Sequence, residues 1–112
     1  MKQLNLASAV LVALVATGAH AQETSKQLGC SGQLIGPIEQ APSPKTVQLT
    51  ISSGKVGVDF GSGSVAAQVE SNNNIQLKFK TDEFTGEYFH LTGDLFLIYK
   101  SGQLARLTCK QS

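Results

Sequence analysis

Tryptophan is absent, Met1 is the only methionine, and the 112 residues include just two cysteines and two histidines. These shortages limit the chemistry available. A Cys-His nucleophile or a Ser-His-Asp triad needs an imidazole, and few imidazoles exist here. Charge of one sign is also lacking: nine Lys and Arg stand against eight Asp and Glu, a formal net charge of +1. A near-neutral chain has no general pull on nucleic acid or anionic lipid. Long apolar runs are missing too. The one mostly apolar stretch, Leu6 to Ala16, is interrupted by Ser8. It is much shorter than the ~20 residues a membrane-spanning helix requires.

That stretch has another reading. Lys2 precedes it, and Thr17-Gly18-Ala19-His20-Ala21 follows, with small side chains at Ala19 and Ala21. A charged start, an apolar middle and an Ala-x-Ala ending form a secretory signal peptide. Residues 1–21 are therefore expected to be removed after Ala21, and the very short start resembles a bacterial signal. Leu28-Gly29-Cys30 superficially suggests a lipid-bearing cysteine. However, Gln27 stands where an apolar residue belongs, and Glu23 and Lys26 separate Cys30 from the apolar stretch.

The remaining residues 22–112 suit one small domain. Losing Lys2 leaves eight basic against eight acidic residues, and losing His20 leaves His90 as the only histidine. Export to an oxidising compartment, periplasmic or extracellular, permits a disulfide. With Cys30 and Cys109 the only cysteines, one intramolecular pairing exists. Closing so long a loop is worth roughly 4–5 kcal/mol on the chain-entropy account.

Period-two alternation dominates the domain. Thr46 to Ile51, Lys55 to Phe60 and Ile75 to Lys80 each place apolar residues on one face and polar ones on the other. Weaker or less regular strands are expected over Leu28 to Ile35, Val65 to Val69, Phe84 to Leu91, Asp94 to Tyr99 and Gln103 to Lys110. Leu95-Phe96-Leu97-Ile98-Tyr99 is apolar on both faces, which suits a central strand or a contact surface. Short turns of Gly, Ser and Asn join most of these runs, so consecutive strands must be antiparallel neighbours. Gly36 to Lys45 holds Pro37, Pro42 and Pro44 and is expected to be an extended linker. The fold class is thus all-β: an antiparallel meander of about eight short strands. Cys30 begins the first strand and Cys109 ends the last, which suits closure into a small barrel or a curled sandwich. So small a barrel would be filled by its own side chains. Strands nearer six residues would be too short for an outer-membrane barrel.

Cys30-Ser31-Gly32, Thr92-Gly93-Asp94-Leu95 and Cys109-Lys110 resemble motifs of a group of small exported proteobacterial proteins of unassigned activity. These have a Cys-x-Gly near the mature start, a late Thr-Gly-x-Leu hairpin and a terminal Cys-Lys. The likeness covers most of the mature chain in layout but few residues in identity. It implies an all-β fold and a disulfide, and no activity. Phe89-His90 replaces the polar pair usual before the turn. A fainter likeness joins Lys100 to Leu107 to the Lys-Gly-x-x-Ala-x-Leu stretch of periplasmic inhibitors of c-type lysozyme, with one residue inserted. The inhibitors' Trp and their Ser-Gly-containing inhibitory loop are missing.

Catalytic groups are few. A triad would have to use His90, which lies in an apolar-rich strand beside Tyr88 and Phe89. Asp82, Glu83 and Glu87 form an acidic cluster; paired carboxylates serve glycoside hydrolysis, but an acidic turn is the commoner meaning. Ser71 to Asn74 is oxygen-rich yet carries no carboxylate beyond Glu70, so a turn is preferred to a calcium loop. Gly61-Ser62-Gly63-Ser64 has no following helix to bind phosphate and reads as a hairpin loop.

These features point to a non-enzymatic exported β-module without cofactor or metal, acting on a protein or surface ligand, with neither nucleic acid nor membrane as partner. Phe84, Tyr88, Phe89, Phe96 and Tyr99 are the candidate contact surface, with core filling as the competing reading. Inhibition of lysozyme or another hydrolase is the alternative, and a small hydrolase using His90 or the acidic cluster is the third.

Overall fold

The computed structural model describes residues 25–38 and 41–112. The expected signal segment and its cleavage site lie outside the described residues. Eight antiparallel strands follow in chain order: β1 (Ser25–Ile35), β2 (Ser43–Ser52), β3 (Lys55–Asp59), β4 (Ser64–Asn72), β5 (Gln76–Lys80), β6 (Phe84–Phe89), β7 (Asp94–Tyr99) and β8 (Leu104–Gln111). Each pairs with the next, and β8 pairs back onto β1, so the sheet closes as a barrel rather than a sandwich.

The closing seam runs from Leu28 opposite Gln111 to Ile35 opposite Leu104. Cys30 and Cys109 face each other in this register and are bridged by the disulfide, with Cα atoms 3.9 Å apart. The bond therefore links two strands that the barrel already brings together. Gly32 makes the seam close: a Cβ there would collide with the Arg106 carbonyl oxygen and come within 2.8 Å of Leu107 Cα.

Alternation decides what is inside. Leu28 and Cys30 on β1, Val47 and Leu49 on β2, Val56 and Val58 on β3, and Leu77 and Phe79 on β5 are buried. Phe84 and Tyr88, Leu95 and Leu97, and Ala105 and Leu107 continue the pattern around the barrel. Apart from the inward Gly86, the residues between them face outward. Gly86 stands opposite Phe79, and a Cβ on it would enter the Phe79 ring, so the glycine makes room for an aromatic crossing the interior. The packed core is apolar throughout, with no buried polar or charged residue among those described.

Three expectations are corrected. The linker from Gly36 to Lys45 is shorter, because β2 begins at Ser43 and takes in Pro44 and Lys45. Pro44 pairs with Gln33 on β1, whereas β3 pairs only with Gln48–Ser52. The start of β2 thus overhangs with one neighbour, where a residue without an N–H is tolerated. Strand lengths are also less uniform than expected: β1 has 11 residues, β2 has 10 and β4 has 9. Lastly, Ser71 and Asn72 belong to β4 rather than to the turn. A bulge between Val69 and Ser71 shifts the register, so that Asn72 stands opposite the inward Leu77.

Closure defines two rims. The upper rim carries the β1–β2, β3–β4, β5–β6 and β7–β8 connections. The lower rim carries the other three, where Ser112 N–H also donates to the Gln27 carbonyl oxygen at 3.1 Å.

Candidate functional site

The upper end of the barrel is not sealed by aliphatic side chains. Phe60, in phase with Val56 and Val58, Phe84 at the start of β6 and Tyr99 at the end of β7 turn inward there. Phe60 and Phe84 meet edge to face with centroids 5.9 Å apart, and Phe84 and Tyr99 are tilted at 5.4 Å. Such arrangements favour the ring quadrupoles. Lys45 is in the inward phase of the β2 overhang. Its Nζ stands 4.9 Å from the Phe60 centroid and 6.0 Å from that of Tyr99. The rings and the ammonium line an open cleft of about 650 Å³.

The acidic side of this mouth is the β5–β6 turn. Thr81 Oγ1 accepts hydrogen bonds from the backbone N–H groups of Glu83 and Phe84, at 3.1 and 3.2 Å. Lys100 N–H donates to the Glu83 carbonyl oxygen at 2.9 Å, tying the β7–β8 turn to it. Asp82 and Glu83 are thereby held at the cleft with exposed carboxylates. Lys80 also borders the cleft, but its Nζ lies 3.2 Å from Glu70 Oε2.

Tyr99 is the unusual member. Its hydroxyl is buried and has no hydrogen-bond partner among the described residues. Unpaired buried hydroxyls cost stability. Burial raises its pKa above the ordinary 10.0, and the negative charge of Glu83 adds to the rise. Tyr88, deeper in the barrel, is also raised, by burial alone.

The structure divides the five aromatics of the expected contact surface. Phe84 and Tyr88 are core residues, 3% and 4% exposed. Tyr99 lines the mouth. Only Phe89 and Phe96 face outward, packed edge to face at 6.1 Å beside the exposed Ile75 and Leu91. Neighbours in sequence are thus sorted to opposite faces by the strand period. Leu95 to Tyr99 is covered on one face only: Leu95 and Leu97 are buried and Ile98 is 45% exposed.

His90 sits at the lower rim, at the opposite end from the mouth. Its Nε2 lies 3.0 Å from Asn72 Oδ1, and its ring packs edge to face on Tyr88 at 5.4 Å. No serine hydroxyl or carboxylate hydrogen-bonds to it among the described residues. The acidic cluster is not assembled either. Asp82 and Glu83 are on the upper rim, while Glu87 is on the outer wall, 3.4 Å from its donor Gln76 Nε2. Among the described residues, no group of three or more His, Cys, Asp or Glu side chains is placed to hold a metal ion. The expected turn at Asn73 is present, with Asn73 Oδ1 accepting from the Ile75 and Gln76 N–H groups at 2.8 Å each.

Lys45 and Phe60 were not expected at a site. Their signal in the sequence is phase: a lysine two residues before the inward Val47, and a phenylalanine two after the inward Val58. Comparison with protein-family models, curated proteins and solved structures finds no match to this chain.

Proposed function

We propose that this chain is an exported, non-enzymatic binding module whose ligand seat is the upper mouth of the barrel. The observation that carries the reading is an open cleft where three aromatic rings, one ammonium and an unpartnered buried hydroxyl converge. Aromatic rings and polar side chains share its lining, and polar groups that converge beside aromatic walls are what orient a small ligand. The disulfide is consistent with an oxidising compartment, and the periplasm or the medium is the place we assign to the module. A ligand screen by NMR on the oxidised, folded protein tests the reading. Binders should shift the resonances of Phe60, Phe84 and Tyr99. Binders that cluster elsewhere, or none from a broad fragment set, would remove the mouth as the seat.

A second reading, inhibition of c-type lysozyme, has one favourable observation. The Lys100–Leu107 stretch that carries that likeness forms the β7–β8 turn and β8, with Ser101 exposed at the upper rim. No inhibition of c-type lysozyme at micromolar protein would end it.

A further inference from the structure

We infer that the mouth is a cage for an organic cation, a ligand or peptide side chain ending in an ammonium group, and that Lys45 is its built-in competitor. This rests on the mouth being the ligand seat and adds the class of ligand and the gate.

Three observations carry the inference. The first is the ring set. The faces of Phe and Tyr are negative, and a cation within ~6 Å of a ring centroid is attracted to them. Lys45 Nζ already meets that condition over two rings, at 4.9 and 6.0 Å. The chain's own ammonium thus marks where a cation is held.

The second is the charge balance. Lys45, Lys80, Asp82 and Glu83 border the cleft. Lys80 is engaged by Glu70 at 3.2 Å. Among the described residues, what remains at the cleft is one ammonium against two carboxylates, and that ammonium is on a flexible tether. When Lys45 swings out, the rings face two negative charges and no free positive one. The field of Glu83 is felt within the cleft, since it helps to raise the pKa of Tyr99. An anionic ligand would face this field and the ring quadrupoles, with Lys45 as its only attraction.

The third is position. Lys45 lies in the part of β2 that lacks β3 as a neighbour, and its register partner on β1 is Gly32, which has no side chain to hold it. Nothing among the described residues pairs its ammonium with a carboxylate within 4.0 Å. The faces of Phe60 and Tyr99 hold it, and a ligand cation must displace it from them. A tethered competitor lowers apparent affinity by the fraction of molecules with the seat open. Removing it should therefore tighten binding.

The test uses three probes on the oxidised protein: choline, its uncharged tert-butyl analogue, and benzoate as an aromatic anion, each titrated by NMR. Choline should shift the Phe60, Phe84 and Tyr99 resonances and bind about tenfold tighter than the uncharged analogue, the scale of a partly desolvated cation–π contact. Lys45→Met should tighten choline binding about fivefold, and Phe60→Leu and Glu83→Gln should each weaken it. An uncharged analogue that binds as well as choline, or a Lys45→Met variant that loses choline while keeping its fold by circular dichroism, overturns the cation cage. Benzoate binding in the mouth without choline overturns the cage but leaves the mouth as the ligand seat. Failure of all three probes overturns the cage, and the broad fragment screen decides the mouth as a seat.

Discussion

Gly93 and Cys109 are clamped to one another at the lower rim. Cys109 N–H donates to the Gly93 carbonyl oxygen at 2.7 Å, and a Cβ on Gly93 would stand 2.8 Å from the Cys109 carbonyl oxygen. Gly93 also has φ +81°, in the left-handed region. Cys109 is in turn the register partner of Cys30, two residues before the tight Gly32. The three segments Cys30-Ser31-Gly32, Thr92-Gly93-Asp94-Leu95 and Cys109-Lys110 therefore meet at the β1–β8 seam and the adjoining β6–β7 turn. Their common physical role is closing the barrel, and of them only Gly32, the register partner of Lys45, reaches toward the upper mouth.

Gly93→Ala should accordingly cost at least about 2 kcal/mol, combining the left-handed backbone penalty with a backbone overlap. Gly54 offers the control, since its φ is +76° but nothing among the described residues lies within 4 Å of its Cβ position. Gly54→Ala should cost about 1 kcal/mol, from the backbone term alone. Urea midpoints of the oxidised proteins compare the two. Equal losses would mean that the Cys109 contact relaxes freely.

Gly86→Ala places a methyl group where the Phe79 ring lies. Phe79 is fully buried, so the ring has nowhere to move, and overpacking should cost about 1–3 kcal/mol. Shrinking the ring should relieve it. The double variant Gly86→Ala with Phe79→Leu should be more stable than the two single losses predict, by about 0.5 kcal/mol or more. Strict additivity in the double-mutant cycle would show that the pair does not act as one packing unit.

The disulfide spans 79 residues of sequence but joins two residues already paired across the seam. Its main action is then on the unfolded chain. Reduction should lower stability by about 2–5 kcal/mol while leaving the far-ultraviolet circular dichroism of the folded state unchanged. Unfolding curves with and without reductant measure this. A reduced protein without β-structure would mean that the seam does not hold by strand pairing and core contacts alone.

The fold was legible because alternation, short turns and the cysteine positions all agree. Ile75 to Lys80 could only be a strand, and Cys30 and Cys109 at opposite chain ends fit a meander whose first and last strands meet. Barrel against sandwich was open because both place the same residues inward, and only the β1–β8 register separates them. The candidate site was half legible. Sequence distance groups the aromatics of Phe84 to Tyr99 together, whereas the strand period sends Phe84, Tyr88 and Tyr99 inward and Phe89 and Phe96 outward. Lys45 was hidden because Pro42 and Pro44 argued for a linker. The overhang of β2 beyond β3 removes that objection, and it follows from strand register, which local pattern does not report.

The mouth also makes the stability depend on pH in the alkaline range. Tyr99 has its pKa raised from 10.0 by burial and by the charge of Glu83. The folded state therefore keeps its proton where the unfolded chain has released it. A raised pKa gives a contribution that is full below pH 10 and is lost as pH rises through the folded value. Tyr88 adds a contribution of the same sign, from burial alone. Glu83→Gln separates them. It should lower the pH at which Tyr99 ionises and leave Tyr88 unmoved, because only Tyr99 feels that charge. Phenolate absorbance would show the total, and the tyrosine ring resonances would assign it. If Glu83→Gln moves neither residue, the Glu83 carboxylate does not project its charge into the mouth, and the electrostatic half of the cation cage goes with it.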